Sequence, residues 1–411
     1  MMCCSSRFWL GSATALLAVL ASACGGGGGA ASAAVTPVIA TQSNVVPIMV
    51  DAGPLDAGYN VNRLYIDVKI CRPASTECQT IDHVLVDTGS VGLRILSSAI
   101  KPDLSLGRIA GNAGLPLLNC VQFVDNTFAW GPLVLADIVL GGKTASSVPI
   151  QLVADPAVGR APANCSIGGT AMTTPANLGA NGILGLGLFK EDCGADCAAS
   201  SHNGFYYTCN SASCVSASGS RASLAQQLKN PVPLFATDNN GFLIDLPAVG
   251  SSSATGLAGL LVFGIGTQSN NQPGKVLALA TNAAGYFTTL LGGQSMSNSF
   301  LDTGTNGYFF DSPSIPVCLD SSPGFYCPAT ETSVSATLVG LNGVRSSVSF
   351  SVGDASTMFT DASKTVFPSL AGPMGDSSSF DWGLPFFYGR RVFTGIEGQS
   401  SSLGIGPYHA F

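Results

Sequence analysis

Short segments in which apolar and polar residues alternate run along most of the chain, and a period of two predicts β-strands. Turns rich in glycine, proline and serine separate these segments. The best helical pattern covers residues 221–229 and is short. Strands are predicted at residues 64–70, 83–86, 148–153, 241–246, 260–263 and 285–290, with a hairpin built from residues 123–130 and 133–140. The pattern therefore predicts an all-β fold.

Composition narrows the class of protein. Only 10% of the 411 residues are charged, against about 25% in an average soluble domain. Hydrophobic residues make up 46%, which is enough for a large core and excludes a disordered chain. The net charge is −7 and no basic run occurs, so nucleic acid is not expected as a partner. The length suits two or three domains, or one large bilobal domain.

Residues 1–23 have the layout of a secretory signal peptide. Arg7 is the early positive charge, an apolar stretch follows, and small residues precede Cys24. The apolar stretch is too short to span a membrane comfortably. Ala21-Ser22-Ala23-Cys24 resembles a bacterial lipobox, which implies a lipid on Cys24; an ordinary signal peptide cut nearby is the alternative. We expect residues 24–44 to form a Gly/Ala/Ser tether, and the protein to be exported and held in the bacterial cell envelope by that lipid only.

Ten cysteines remain when the leader cysteines and Cys24 are set aside. An even number in an exported chain predicts disulfides, and the nearest neighbours in sequence are the easiest pairs. The alternative is a zinc site built on residues 193–214, but the spacing is loose and the exported compartment is wrong for it. We expect residues 193–219 to be a surface insertion. The predicted disulfide cysteines are Cys71, Cys78, Cys120, Cys165, Cys193, Cys197, Cys209, Cys214, Cys318 and Cys327.

One motif occurs twice. Residues 84–92 read Val-Leu-Val-Asp-Thr-Gly-Ser-Val-Gly, and residues 299–307 read Ser-Phe-Leu-Asp-Thr-Gly-Thr-Asn-Gly. Each motif is an apolar strand that leads into Asp-Thr-Gly, and each has a downstream segment with apolar residues and glycine, at residues 181–187 and 381–387. The repeat predicts a duplicated β lobe, in which each lobe contributes one aspartate.

These motifs resemble those of the pepsin-like aspartic proteases over nearly all of residues 60–411. The resemblance includes the segments that end at Gly185 and Gly383, and it implies two β-barrel-like lobes with a cleft between them. We expect the lobes to cover residues 45–230 and 231–411. Separately, the chain resembles a family of bacterial lipoproteins of unassigned function, through residues 82–89, 235–241 and 380–386. That second resemblance implies no activity.

The protease resemblance assigns Asp87 and Asp302 as a catalytic dyad. Two adjacent carboxylates cannot both ionise cheaply, so the pair shares one proton. A water molecule held between them would attack the scissile carbonyl, and this chemistry needs no metal and no cofactor. The resemblance also implies supporting roles for hydroxyls that link the loops, for glycines that allow close approach, and for hydroxyls beside the carboxylates: Thr88 and Thr303, Gly89 and Gly304, and Ser90 and Thr305.

Some positions differ from the protease pattern. Val91 and Asn306 stand where serine is usual, and Arg94 stands where a packing tryptophan is usual. The tyrosine of the flap, the hairpin that covers substrate, has no clear counterpart. The flap candidates are Phe123, Phe128 and Trp130, of which Trp130 alone can donate a hydrogen bond.

Two functions therefore stay open. The first is a monomeric endopeptidase that cleaves polypeptides in the interlobe cleft. The second is a catalytically inactive envelope module that binds peptide or glycan in the same cleft. His83 precedes Asp87 in the same strand and faces the same side by the period of two. It either tunes the dyad or is an ordinary strand histidine with satisfied hydrogen bonds.

Overall fold

The computed structural model describes residues 42–209, 214, 218–250, 253–319 and 322–411. The predicted signal peptide, Cys24 and nearly all of the predicted tether lie outside the described residues. Within the described ranges, no helix is long and apolar enough to cross a membrane.

Strands dominate the first part of the chain. They are β1 (Val45–Val50), β2 (Leu64–Cys71), β3 (Cys78–Asp87), β4 (Val91–Leu96), β5 (Leu117–Gln122), β6 (Thr127–Leu140), β7 (Lys143–Val153), β8 (Thr170–Ala171), β9 (Gly182–Leu186), β10 (Tyr206–Thr208) and β11 (Ser218–Gly219). Short helices lie between them: α1 (Ala163–Ser166), α2 (Pro175–Leu178) and α3 (Ala195–Ala199). Single 3-10 turns cover Ser97–Ala99 and Asn112–Gly114.

The second part is built in the same way. Its strands are β12 (Gly241–Leu246), β13 (Leu257–Phe263), β14 (Ala278–Ala280), β15 (Phe287–Leu291), β16 (Gln294–Leu301), β17 (Tyr308–Phe309), β18 (Thr332–Val339), β19 (Arg345–Val352), β20 (Ala371–Gly372), β21 (Asp381–Trp382), β22 (Arg390–Gly395), β23 (Ser400–Ser401), β24 (Gly404–Ile405) and β25 (Tyr408–Ala410). Helix α4 covers Ala355–Met358, and 3-10 turns cover Val232–Leu234, Ser269–Asn271 and Leu384–Phe387.

The strands join into two large sheets and a small ribbon of β23 and β24 in the described part of the chain. The first large sheet runs β11-β10-β5-β6-β7-β4-β9-β3-β2-β1 and continues through β13-β12-β22-β25-β14. The second runs β19-β18-β15-β16-β21-β17-β20. The first sheet therefore contains strands from both parts of the chain, and β1 connects them by pairing antiparallel with β13.

The same local arrangement is built twice. Strand β3 runs parallel to β9, and β4 runs antiparallel to β9, so that Asp87 lies opposite Gly185. Strand β16 likewise runs parallel to β21, and β17 runs antiparallel to β21. The strands confirm the predicted all-β class, and this duplication is consistent with the predicted bilobal arrangement. The lobe limits at residues 230 and 231 stay a prediction.

The cores of the two halves differ in composition. Aliphatic side chains such as Val68, Ile138 and Leu184 fill the first half. In the second half, the rings of Phe380 and Trp382 stack with their centroids 4.1 Å apart, and further phenylalanines pack around them. The buried indole of Trp382 donates to the Thr289 hydroxyl at 3.0 Å, as a buried N–H requires.

The predicted hairpin of residues 123–130 and 133–140 is wrong, because β6 runs through this region without a turn. Gly131 and Pro132 lie inside that strand and pair with β5. A Cβ atom at Gly131 would lie 1.8 Å from the Leu152 carbonyl oxygen, so glycine is needed for close approach to the neighbouring strand. The actual hairpin joins β5 to β6, and its turn is at residues 123–126.

Two further predictions fail between residues 193 and 229. Residues 221–229 form no helix: a turn covers residues 224–226, and the Gln227 side chain donates to the Gly194 and Ala222 carbonyls. The segment 193–219 is more than a surface insertion, because β10 pairs with β5 and both Tyr206 and Tyr207 are buried.

The disulfide prediction is confirmed for all ten predicted cysteines. Because pairing uses the thiols that a zinc site would need, the zinc alternative is wrong. The cross-links, together with the pepsin-like fold, fit an exported protein. The described pairs are Cys71–Cys78, Cys120–Cys165, Cys193–Cys197, Cys209–Cys214 and Cys318–Cys327.

Candidate active site

The two Asp-Thr-Gly turns meet, and their threonines link them. The Thr88 amide donates to the Thr303 hydroxyl at 3.2 Å, and the Thr303 amide donates to the Thr88 hydroxyl at 3.0 Å. Each hydroxyl then donates to a strand carbonyl of the other half, Thr88 to Leu301 and Thr303 to Val86. Both threonines are buried, so these reciprocal bonds satisfy groups that water cannot reach.

Each aspartate is held by an equivalent pair of donors. Asp87 accepts from the Gly89 amide at 2.8 Å and from the Ser90 hydroxyl. Asp302 accepts from the Gly304 amide at 2.7 Å and from the Thr305 hydroxyl at 3.1 Å. Asp87 ends β3 and is 5% exposed, whereas Asp302 directly follows β16 and is partly exposed. The four donors fix the orientation of both carboxyl groups.

The glycines of the turns allow the carboxyl groups to approach each other. A Cβ atom at Gly89 would lie 2.6 Å from the Asp302 Oδ2. A Cβ atom at Gly304 would lie 2.8 Å from the Asp87 Oδ1 and 3.0 Å from the Asp302 Oδ1. Each carboxyl therefore packs against the glycine of the other turn, and any side chain there would overlap it.

Electrostatics favour one retained proton on the pair. Burial raises the pKa of Asp302 well above its ordinary value, and the carboxyl groups of Asp87 and Asp381 raise it further. The dyad can therefore hold one proton and one negative charge, which is the state that general acid–base chemistry requires.

Two cavities flank the dyad, and both reach Asp87 and Asp302. The Ser90 cavity, of about 340 Å³, is lined by Ser90, Arg94, Glu191, Asp192 and Phe300, among others. The Thr305 cavity, of about 480 Å³, is lined by Leu85, Ile183, Thr305, Phe309 and Asp381, among others. The two cavities occupy equivalent places relative to the repeated turns, and each opens beside the hydroxyl that contacts its aspartate.

The β5–β6 hairpin reaches over the dyad. Phe123 and Val124, in its turn, line both cavities, and Val124 is 77% exposed. Phe128 and Trp130 are buried further along β6, where they line a separate cavity of about 520 Å³. The Trp130 indole donates to the Gly159 carbonyl at 3.0 Å. Of the three flap candidates, Phe123 is therefore the one beside the aspartates.

Arg94 lies in a buried polar cluster that sequence reasoning missed. Its side chain is 1% exposed, donates to the Val91 carbonyl at 2.8 Å, and lies 3.8 Å from the Asp192 carboxylate. Asp192 also accepts from the Tyr206 hydroxyl and from Asn119. Burial raises the pKa of Asp192 to about 6, although Arg94 opposes the shift. An arginine within the apolar strand 91–96 was the available signal, since a buried guanidinium needs an acidic partner.

Asp381 is the second residue that sequence reasoning missed. It is 2% exposed, and burial raises its pKa well above the ordinary value. Strand register places it opposite Phe300, whereas Ile183 lies opposite Leu85 in the first half. Phe300 and Leu85 each stand two residues before their aspartate, so Asp381 and Ile183 are equivalent positions. The signal was a carboxylate two residues before Gly383, where isoleucine stands two residues before Gly185.

His83 points away from the dyad. Its Nδ1 lies 2.6 Å from an Asp82 carboxylate oxygen, its Nε2 lies 3.5 Å from Asp51, and its ring edge packs on Tyr65. The hydrogen bond to Asp51 is the main cause that raises the pKa of His83 to about 9. A φ of 46° at His83 interrupts the alternation of the strand, so the period-two argument misplaced this side chain.

Comparisons with known proteins give a family and two distant structural likenesses. The crystal structure of basic 7S globulin from soybean is 12% identical, with a TM-score of 0.44, covering 90% of this chain and 96% of that one. The crystal structure of aspartic proteinase from Irpex lacteus is 13% identical, with a TM-score of 0.47, covering 89% and 96%. No argument about activity rests on likenesses this distant.

No curated protein matches the sequence. A family model described as "Protein of unknown function (DUF3443)" matches residues 40–411, nearly the whole chain. The chain therefore belongs to the DUF3443 family.

Proposed function

We propose that this protein is an exported aspartic-type endopeptidase that hydrolyses peptide bonds with water activated by Asp87 and Asp302. The observation that carries the proposal is the matched pair of carboxyl groups, each fixed by a glycine amide and a hydroxyl. Burying two carboxyl groups together is costly unless they share a proton and accept hydrogen bonds. The hydrogen bonds are present, and the raised pKa of Asp302 is compatible with a shared proton, which supports a catalytic use of the pair.

The proposed reaction uses the two aspartates in different protonation states. In this proposal Asp302, whose pKa is raised by burial, gives a proton, and Asp87 accepts one. Asp87 takes a proton from the water while the water oxygen attacks the scissile carbonyl carbon, and Asp302 gives its proton to the carbonyl oxygen. Collapse of the tetrahedral intermediate breaks the C–N bond: the proton on Asp87 passes to the leaving nitrogen, and one hydroxyl proton of the intermediate returns to Asp302. These transfers restore the dyad and free the two peptides. The hairpin with Phe123 and Val124 would cover the substrate.

One observation favours the alternative of an inactive module that binds peptide or glycan in the same cleft. The hairpin residues beside the dyad are Phe123 and Val124, whose side chains have no hydrogen-bond donor to orient a substrate. A module of this kind would bind the same class of ligand without cleaving it.

The test is proteolysis by the purified full chain on a broad peptide library from pH 3 to pH 7. We expect cleavage below neutral pH, where the dyad keeps its proton. Asp87→Asn and Asp302→Asn should each lower kcat/KM by about 10²–10⁴-fold or more. Asp103→Asn, the same chemical change at an exposed residue outside both cavities, is the matched control and should not change kcat/KM. If the unaltered chain cleaves nothing across this pH range, the inactive alternative replaces the proposal.

The finer localisation is also a proposal. Cys24 would carry the lipid, and the following tether would hold a monomeric protein in the bacterial envelope. Cys24→Ser should release the protein into the soluble envelope fraction. A mature N-terminus at another residue, without lipid, would contradict this proposal.

A further inference from the structure

One oxygen of the buried Asp381 carboxyl has no hydrogen-bond donor among its neighbours. The side chain is 2% exposed, and its Oδ1 makes no hydrogen bond. The Thr305 hydroxyl, which donates to Asp302, also interacts with the Asp381 carboxyl and opposes the rise of its pKa, but it leaves Oδ1 without a hydrogen bond. Buried carboxyl oxygens are normally paired, so an unpaired one needs a specific explanation. The equivalent residue of the other half, Ile183, has no such requirement, which means that the fold does not need a carboxyl group at this position.

Asp381 lines the Thr305 cavity, and the residues around this cavity suit a long cationic side chain. Four carboxyl groups line this cavity, from Asp87, Asp125, Asp302 and Asp381, against the single guanidinium of Arg63. Apolar side chains supply the walls, including Leu85, Met172, Leu178, Ile183 and Met374. Lysine and arginine combine an apolar stem with a charged end, so both parts of such a side chain find a partner here.

The Ser90 cavity offers a different environment. Its buried cation, Arg94, lies 3.8 Å from Asp192, and its wall includes Phe300 where the Thr305 cavity has Leu85. Four carboxyl groups also line the Ser90 cavity, from Asp87, Glu191, Asp192 and Asp302, but its two additional acids are paired, Glu191 with Lys229 at 3.0 Å and Asp192 with Arg94. The unpaired Asp381 Oδ1, and not the number of acids, therefore distinguishes the Thr305 cavity. Among the described residues, no three His, Cys, Asp or Glu side chains are grouped as metal ligands, which favours an organic cation over a metal ion.

We propose that the Thr305 cavity receives a lysine or arginine side chain of the polypeptide, on one side of the bond to be cleaved, and that Asp381 pairs with its charged end. This inference rests on the proposed endopeptidase function, which it deepens by naming the substrate class. Asp381 acts in selection of the substrate, whereas Asp87 and Asp302 carry the hydrolysis.

The first test compares cleavage of two matched peptides that differ at one position beside the scissile bond, lysine against norleucine. The unaltered full chain should cleave the lysine peptide with a kcat/KM at least tenfold higher. Asp381→Asn, which keeps the shape, and Asp381→Ile, which copies the residue of the other half, should bring the ratio close to one. The ratio is taken between two peptides on the same variant, so a change in overall rate does not affect it, and Asp103→Asn should keep the full preference.

The outcomes separate this inference from the proposed function. Cleavage without a preference for basic residues, or a preference that both Asp381 variants retain, overturns the inference and leaves the endopeptidase proposal intact. If no peptide is cleaved, the endopeptidase proposal fails, and a binding experiment then decides the inference.

The binding experiment uses two fluorescent hydroxyethylene peptides, which cannot be cleaved, again with lysine or norleucine. Fluorescence anisotropy with the full chain should give an affinity at least tenfold higher for the lysine peptide, and Asp381→Ile should abolish the difference. Equal affinities, or binding of neither peptide, overturn the inference.

Discussion

The two halves of the site have nearly identical residues in contact with the carboxyl groups of the dyad. The residues packed behind those contacts differ between the halves. Asp87 and Asp302 each have a glycine amide and a hydroxyl as donors. Behind them, Arg94 in the first half corresponds to Phe309 in the second, because each follows its aspartate at the same distance along the chain.

The charged residue of the second half is Asp381, and its counterpart in the first half is Ile183. The first half thus buries the pair of Arg94 and Asp192 behind the dyad, whereas the second half buries the acid Asp381. Arg94 has an acidic partner in Asp192, whereas the Asp381 Oδ1 has none. The hydrogen-bond donors to the two carboxyl groups of the dyad are therefore of the same kind in both halves. The residues behind them, Arg94, Asp192 and Asp381, differ and give the two cavities different properties.

Removal of Arg94 should have the largest effect on stability. Arg94→Met leaves Asp192 buried without its cation, and breaking a buried pair in this way costs about 3–5 kcal/mol. The free energy of unfolding, measured in urea, checks this value. Arg72→Met, which breaks the exposed Arg72–Glu77 pair, is the control and should cost less than about 1 kcal/mol. A small effect of Arg94→Met would mean that water reaches Asp192 and replaces the cation. The two halves of the site would then differ less than the burial of Arg94 and Asp192 suggests.

A methyl group at Gly304 should damage the dyad directly. The Cβ atom would lie within 3.0 Å of carboxyl oxygens from both aspartates, so one carboxyl must move. A displacement near 1 Å lowers kcat/KM by about 10²-fold. Peptide cleavage by Gly304→Ala measures the loss, and Gly107→Ala, where a Cβ atom would meet open space, is the control. Full activity of Gly304→Ala would show that the carboxyl positions do not limit the reaction.

The threonines test whether the two turns are energetically equivalent. Thr88→Val and Thr303→Val each remove one hydroxyl that accepts from an amide and donates to a carbonyl. Each buried group left unpaired costs about 1–3 kcal/mol. We expect equal losses in the free energy of unfolding from the two variants, and almost none from Thr144→Val on an exposed strand position. Clearly unequal losses would contradict the equivalence of the turns.

The smallest predicted effect is a change in the pH dependence of stability. The pKa of Asp381 is raised in the folded state, so the folded protein binds this proton more tightly than the unfolded chain does. Its contribution is therefore complete below the ordinary value of 3.8 and is lost as pH rises through the raised pKa. Asp381→Asn should reduce this loss, measured as urea midpoints from pH 4 to pH 8.

Asp103→Asn is the control for this experiment, because its carboxyl is exposed. If Asp381→Asn and the unaltered chain show the same dependence on pH, then Asp381 is not the buried acid that distinguishes the two halves.

Local chemistry made much of this protein predictable from the sequence. The all-β class followed from the period of two, and the disulfides followed from an even number of cysteines in a chain that was predicted to be exported. The repeated Asp-Thr-Gly turns also indicated which residues to bring together, because the donors of each carboxyl lie within three residues of it.

The tertiary structure decided the features that depend on distant partners. Gly131 and Pro132 resemble a turn locally, but β6 is continuous because β5 and β7 pair along it. His83 leaves the predicted face because its backbone has a positive φ and Asp51 binds its ring.

Arg94 and Asp381 acquired their roles from residues far along the chain. Arg94 is paired by Asp192, which follows β9, and Asp381 reaches the dyad because β21 pairs with β16. The pattern of apolar, polar and turn-forming residues within one segment indicates which residues are buried and where the chain turns. The energy of a buried charge depends on which groups the fold brings within a few ångströms, and only the tertiary structure determines them.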